Sequence, residues 1–471
     1  MRTHILSIFL LFAASGTGAQ QFAGTSGLYQ PGVSQVPFNP AWVTSANSGL
    51  EINLFAASAM AGTNAYVFNT DWMSGGMSGG AAEGKDYQRN FRSRKNRHMW
   101  GNIDVIGPSI AIPYRNNASI GIYTRFRQIV RGGNIDPKSF LLIGGIDPSA
   151  SFPDTFRFDK AGFSTHVFGE LGFSYGKVLS NDYYNIWKGG VTIKYLSGMA
   201  AGSLYSPATE LVMNTPDSLN VLKGDITALY SENIEPFIDN DFSNDFSSWF
   251  DKGGKGGIGF DIGVQYEYHP AGDPNQETPY LFRISASITD IGSIGYKADT
   301  TGGIYSLNAR NRHYQQLIKK EEESFQSYYD RLAADSIAIR KDSLTDFRMG
   351  LPTALRLNGD VNIGGAFWMA ANILLNMRGD NGDAYRPAYV SMLNVTPRFE
   401  NKWVMVGVPF TFWGYESLSA GLSLRAGPLF LGSTSLFSSL LGKNIRNLDA
   451  YAGLSFRLAK QERAGRYFHA R

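Results

Sequence analysis

Cysteine is missing altogether from the 471 residues. That excludes a disulfide scaffold, a Cys-ligated zinc or iron–sulfur site, a thiol nucleophile and a lipoprotein anchor. Charge is scarce, at 18% of residues, against about 25% in an average soluble protein. The net charge of +3 is too small to make nucleic acid the main partner. Long apolar runs are missing too. Mean hydropathy is −0.18, and nothing after the N-terminus approaches the roughly 20 apolar residues of a transmembrane helix. The six histidines are scattered, with no pair suited to zinc. No Gly-x-Ser-x-Gly elbow occurs. Gly253-Gly254-Lys255-Gly256-Gly257 lacks the spacing and the Ser/Thr of a phosphate-binding loop. Asp239, Asp241 and Asp245 lack the glycine and terminal glutamate of a calcium loop. These absences lead us to expect no cofactor, no metal and no enzyme.

Glycine and aromatics are abundant, with 53 Gly and 13% Phe, Trp and Tyr. Residues 1–19 read as a secretory signal. Arg2 and His4 precede an apolar run from Ile5 to Ala14, and Thr17-Gly18-Ala19 offers a cleavage point. Beyond residue 48 the pattern has period two. Ile258, Phe260, Ile262, Val264, Tyr266 and Tyr268 alternate with Gly259, Asp261, Gly263, Gln265 and Glu267. A strand sends these sets to opposite faces. Several runs last ten residues or more, longer than the usual five or six of a soluble strand and close to the nine to eleven that cross a membrane. Tyr114, Tyr175, Tyr195, Tyr268, Tyr280, Tyr296, Trp403, Phe412 and Trp413 stand near strand ends and suit interfacial girdles. The expected fold is all-β: a transmembrane antiparallel β-barrel of about 14 strands, within 12–16, as even-numbered bacterial barrels require. It spans 49–460, with a helical insert in the long loop 297–349 and a periplasmic tail at 461–471.

The polar rows define the bore. Tyr123, Arg125, Arg127, Asp261, Gln265, Glu267, Arg283, Arg356, Asn358, Asp360, Arg425 and Arg457 fall on the face opposite the apolar one. Uncompensated charge in hydrocarbon is expensive, so these residues face the lumen. They form either a ladder of opposite charges filling the interior or a polar path. The excess of arginine leaves room for an anionic head group. Arg92, Arg94, Lys95 and Arg97 form the densest basic run and fall in the first outer loop. There they are expected to meet lipopolysaccharide.

Residues 20–48 do not alternate. They carry Phe38-Asn39-Pro40-Ala41-Trp42, in which proline fixes φ and turns the chain. Asn39, Pro40 and Ala41 resemble the plug segment of FadL-like fatty-acid transporters and of PorV-like barrels of type IX secretion. Glu170–Tyr175, Thr289–Ile294, Leu351-Pro352-Thr353 and Gly427–Ser433 are similar to a family of Bacteroidota outer-membrane barrels without established activity. The resemblance implies a plug that gates the bore at Asn39, Pro40 and Ala41. It also implies an outer-membrane location and passive transport of hydrophobic or amphipathic small molecules. The alternative it implies is a non-transporting barrel that binds a secretion or surface-assembly partner.

Overall fold

The computed structural model describes residue 22 and residues 32–69, 84–90, 94–115, 117–143, 151–232, 234, 254–270, 280–317, 319–320, 323–379, 386–414, 417–442 and 445–459. The leader read over 1–19, the tail 461–471, Arg92 and Asp239, Asp241 and Asp245 lie outside them.

Alternation builds one wall. Its strands are β1 (Gly49–Thr63), β2 (Arg97–Pro113), β3 (Ala118–Ile135), β4 (Asp154–Asn181), β5 (Asn185–Thr215), β6 (Gly256–Tyr268) and β7 (Phe282–Lys297). They continue with β8 (Ala354–Gly364), β9 (Phe367–Asn376) and β10 (Met392–Glu400). Two passes are interrupted: β11 (Val404–Gly407, then Phe410–Trp413) and β12 (Ser417–Ala420, then Leu422–Ala426). Pro409 has no N–H to give the ladder, which accounts for the break in β11. The wall ends with β13 (Leu429–Ser433) and β14 (Asn447–Ala459). Each strand pairs antiparallel with the next, and β14 returns to β1 from Gly49↔Ala459 to Gly62↔Asn447. The result is a closed fourteen-stranded barrel. Closure leaves the membrane wall itself without an open edge.

The faces sort by polarity. Ile258, Phe260, Ile262 and Val264 of β6 are 44–60% exposed on the outside, while Asp261, Gln265 and Glu267 are 2–5% exposed within. An apolar outside around a charged inside suits lipid outside the wall, not water. Tyr114, Tyr175, Tyr195, Trp403 and Phe412 stand on the outer surface. Three of the expected girdle residues do not: Tyr280, Tyr296 and Trp413 point into the bore and are buried.

The two ends differ. Short turns at 114–117, 182–184, 365–366, 401–403 and 427–428 share one end with Gly49 and Ala459. The opposite end carries the long connections. There β4 and β5 run to 28 and 31 residues. About ten suffice to cross a bilayer, so this hairpin projects well past it. The strand Ser218–Tyr230 pairs with the projecting part of β5, then with Gly303–Leu307, which pairs with Ala338–Ser343. In the long loop 297–349, where a helical insert is expected, α1 (Phe325–Ala334) lies between these last two strands. Phe156, Met213, Leu219, Tyr230, Tyr305 and Leu332 form the core of this extension.

Candidate functional site

Inside the short-turn end the chain lies across the bore as two 3-10 turns, Val33–Gln35 and Pro40–Ser48. Their backbone bonds are internal, such as Trp42 N–H to the Asn39 carbonyl at 3.0 Å. Neither turn joins the sheet. Asn39 caps the second turn, with its Oδ1 accepting from the Ala41 amide at 3.0 Å. Pro40 occupies the first helical position, where a missing N–H costs nothing. Asn39 Nδ2 reaches the wall, donating to the Val264 carbonyl at 3.4 Å.

Glycine makes room for this segment. Gly176, Gly190 and Gly263 are direct cross-strand neighbours on β4, β5 and β6. A Cβ at Gly263 would fall 2.1 Å from Asn39 Oδ1; at Gly190, 2.4 Å from the Pro40 carbonyl carbon; at Gly176, 2.5 Å from Val43 Cγ1. The row continues to Ser287 of β7, whose Oγ donates to the Phe38 carbonyl at 2.7 Å. Around the row, Phe38 and Trp42 pack with Ala56, Ile106, Phe430 and Tyr451.

Immediately beyond the plug lies an ion-pair network. Arg125 pairs with Asp104, donating from Nε at 2.7 Å. Arg127 donates to Glu170 at 2.6 Å and to Asp290 at 2.8 Å. Lys194 reaches Asp261 at 2.8 Å and Asp290 at 2.6 Å. From the far end Tyr389, on the irregular segment 386–391, bonds both Arg127 and Asp290. Arg356 differs from its neighbours. Its Nε donates to Thr289 at 3.1 Å, and no carboxylate pairs with it among the described residues. The guanidinium lies 5.3 Å from the Phe38 ring and 5.4 Å from the Tyr389 ring. Arg125 takes the other side of the Phe38 contact, at 5.1 Å. Phe38 is thus held by two cations, each such contact contributing about 0.5–2 kcal/mol.

A second band of charge rings the short-turn mouth. Lys188 pairs with Glu267 at 2.8 Å, and Gln265 donates to the same carboxylate. Arg283 lies 3.7 Å from Asp360. Arg398 bridges Asp360 and Glu400 at 2.7 and 2.8 Å. Arg425 approaches Glu400 at 3.5 Å, and Arg457 pairs with Glu51. Asn358 donates to Ser285 Oγ at 3.3 Å. Tyr123 is fully buried beside Val43 and Ala46 of the plug.

The structure thus places the twelve polar residues read from alternation in the bore and gathers them into two bands. It adds Asp104, Lys188, Lys194, Asp290, Tyr389 and Arg398, which the reading omitted. In the outer basic run Arg94 and Lys95 are exposed. Arg97 does not face lipid: it is buried, donating to the carbonyls of Asn90 and Lys95. A backbone cradle has taken up its guanidinium. Among the described residues, no three His, Asp or Glu side chains are grouped to hold a metal ion.

Closed wall, lipid-facing apolar surface, charged bore and internal plug define a transmembrane β-barrel of the plugged type. Within that class, the chain belongs to the Family of unknown function (DUF5723), whose model matches residues 40–434. No curated protein sequence matches it. Three solved structures are similar at low identity. The deltaS2S3 mutant of the monoaromatic hydrocarbon channel TodX is 10% identical, covering 94% of this chain and 99% of its own, with a TM-score of 0.45. A Pseudomonas aeruginosa FadL homologue is 10% identical, covering 93% and 98%, with a TM-score of 0.40. The Pseudomonas putida toluene transporter TodX is 10% identical, covering 93% and 96%, with a TM-score of 0.36.

Proposed function

We propose that this barrel resides in the outer membrane and passively transports hydrophobic or amphipathic small molecules, with residues 32–48 as its gate. One observation carries the reading: the plug fills the bore without joining the wall. It rests on a glycine row, on side-chain hydrogen bonds that join Phe38 to Ser287, Asn39 to Val264, Ser45 to Glu51 and Asn47 to Ser119, and on two cation–ring contacts. It can leave without breaking a strand ladder. Ligand enters from the long-loop end, past Tyr389, and meets the charge network. Withdrawal of Phe38 uncovers Arg356, a cation suited to an anionic head group. Asn39, Pro40 and Ala41 set the plug in register. Arg94 and Lys95, on the outer loop, meet lipopolysaccharide phosphates.

Flux of a small fluorescent hydrophobic dye into liposomes tests this. The full chain is expected to be nearly closed, and a chain lacking residues 22–48 to conduct. Phe38→Ala is expected to fall between them. A folded deletion variant that stays closed removes the gate and, with it, the transport reading.

A second reading draws on the ion pairs that fill the bore and on the large sheet outside the membrane. In it the barrel does not transport, and the projecting sheet binds a secretion or surface-assembly partner. A protein cross-linked to the sheet around Ser218–Tyr230, with no dye flux from any variant, favours that reading.

A further inference from the structure

The lipid-facing side of the short-turn end holds two cations that no carboxylate offsets. Arg115 lies in the turn between β2 and β3, and Lys177 near the end of β4. Ala118 pairs directly with Lys177, and the Val178 amide donates to the Asn117 carbonyl at 2.8 Å, so turn and strand are tied together. Between them is an open cleft of about 540 Å³ lined by Tyr114, Arg115, Ala118, Tyr175 and Lys177. Arg115 sits 5.4 Å from the Tyr114 ring centroid. Neither cation has an ion-pair partner among the described residues. Lys138, Lys255 and Lys341, exposed outside the bore, each meet an aspartate instead.

The order of side chains along the wall completes the site. Read from mid-wall toward the rim, the outward residues of β4 are Leu171, Phe173, Tyr175 and Lys177, with Leu179 following at the register shift between Val178 and Ser180. On β2 they are Ile110 and Ile112, then Tyr114, with Arg115 beyond. Aliphatic and phenyl groups give way to tyrosine hydroxyls and then to positive charge. A phospholipid has the same order: acyl chain, ester oxygens, phosphate. Ala118, small and between the two columns, leaves the floor of the cleft open. A free phosphate would use the cations and leave the apolar columns idle.

We propose that this cleft binds one anionic phospholipid of the inner leaflet, its phosphate between Arg115 and Lys177 and its acyl chains along Ile112 and Phe173. The tyrosine hydroxyls face the glycerol esters. The bound lipid anchors the β2–β3 turn at the membrane surface on the side where the plug enters.

Native mass spectrometry of the full-length protein, titrated with dioleoyl phosphatidylglycerol in neutral detergent, gives the dissociation constant of the first bound lipid. The double variant Arg115→Gln/Lys177→Gln is expected to weaken it about twenty-fivefold, since each cation contributes about fivefold at an anionic lipid surface. Arg115→Lys/Lys177→Arg restores it. Lys402→Gln, at another turn of the same rim, leaves it unchanged. Retained heat-shifted gel mobility establishes that each variant is folded. Dioleoyl phosphatidylcholine, whose ammonium offsets its phosphate, is expected to bind the parent and the double variant alike. Equal phosphatidylglycerol affinity in parent and double variant overturns the proposal. So does displacement of the lipid by an equal concentration of inorganic phosphate, which would make this a site for free anions. Dye flux plays no part in these readouts, so failure here is distinct from failure of the gate.

Discussion

Asp290 faces Arg127, Lys194 and Tyr389 at once. Removing one member of a buried ion cluster leaves the others uncompensated, at a cost of about 3–5 kcal/mol. Asp290→Ala is therefore expected to lower the unfolding free energy of the barrel by that order, read from urea titration followed by gel mobility. Asp290→Asn, which retains hydrogen bonding, is expected to cost less. Period two does not find this residue. The run Phe282, Ile284, Ala286, Ile288 points outward, and strict alternation would send Asp290 into lipid as well. A register shift between Ile288 and Ile291 lets Thr289 and Asp290 both turn inward and puts Ile291 outside. Asp290 has φ +63°, a conformation in which Asp is tolerated better than most residues. Asp104 and Lys194 obey the alternation of Ile103 and Val105 and of Ile193 and Tyr195, so their strands announce them. Tyr389 sits in the irregular stretch 386–391, where no periodicity exists to read.

At the level of the element, the plug and its seat are two halves of one design. Gly176, Gly190 and Gly263 lie in strands, where glycine normally weakens the ladder. Their direct pairing makes a flat strip on which Asn39, Pro40 and Val43 rest. Gly190→Leu would put a side chain into the Pro40 carbonyl and is expected to unseat the plug. Dye flux should rise toward that of the chain lacking 22–48 while the barrel stays folded. The turn at Asn39-Pro40 was legible from residue type alone; its seat was not, because glycines far apart in sequence become neighbours only through strand register. The extension outside the membrane makes the converse point. Tyr328, Tyr329 and Leu332 have helical spacing and belong to α1, whereas Ile337 falls in the bend after it and Ile339 in the strand Ala338–Ser343. Pairing of 338–343 with 303–307 overrode the local pattern. Just before α1, Glu323 meets Arg331 at 2.7 Å, and that hydrogen bond holds the carboxyl at about 2, below its ordinary 4.5. A depressed acid stabilises above its unfolded value and stops doing so as pH falls through its folded one. Pepsin cleavage around α1, normalised to another loop, is therefore expected to rise between pH 4.5 and 2. Glu323→Gln should be cleaved readily across that window.

The whole molecule is asymmetric, and the asymmetry assigns its ends. Membrane barrels keep short turns on the periplasmic side and long loops outside. By that rule both Gly49 and Ala459, the plug mouth and the turn at Arg115 face the periplasm, while the projecting β4–β5 hairpin and α1 face the exterior. The same rule puts the exposed Arg94 and Lys95 on the outer side. The lack of cysteine makes the assignment easy to check, since any thiol introduced is the only one present. Asp217→Cys places it at the tip beyond β5, on a side chain 76% exposed. Lys402→Cys places it in the exposed turn before β11. A membrane-impermeant maleimide applied to intact cells is expected to label the first and not the second. After the outer membrane is permeabilised, both should label. The reverse pattern would turn the barrel over, placing the plug mouth outside and the projecting sheet in the periplasm. Ligand would then meet the plug before it met the charge network, and Tyr389 would guard the exit and not the entrance.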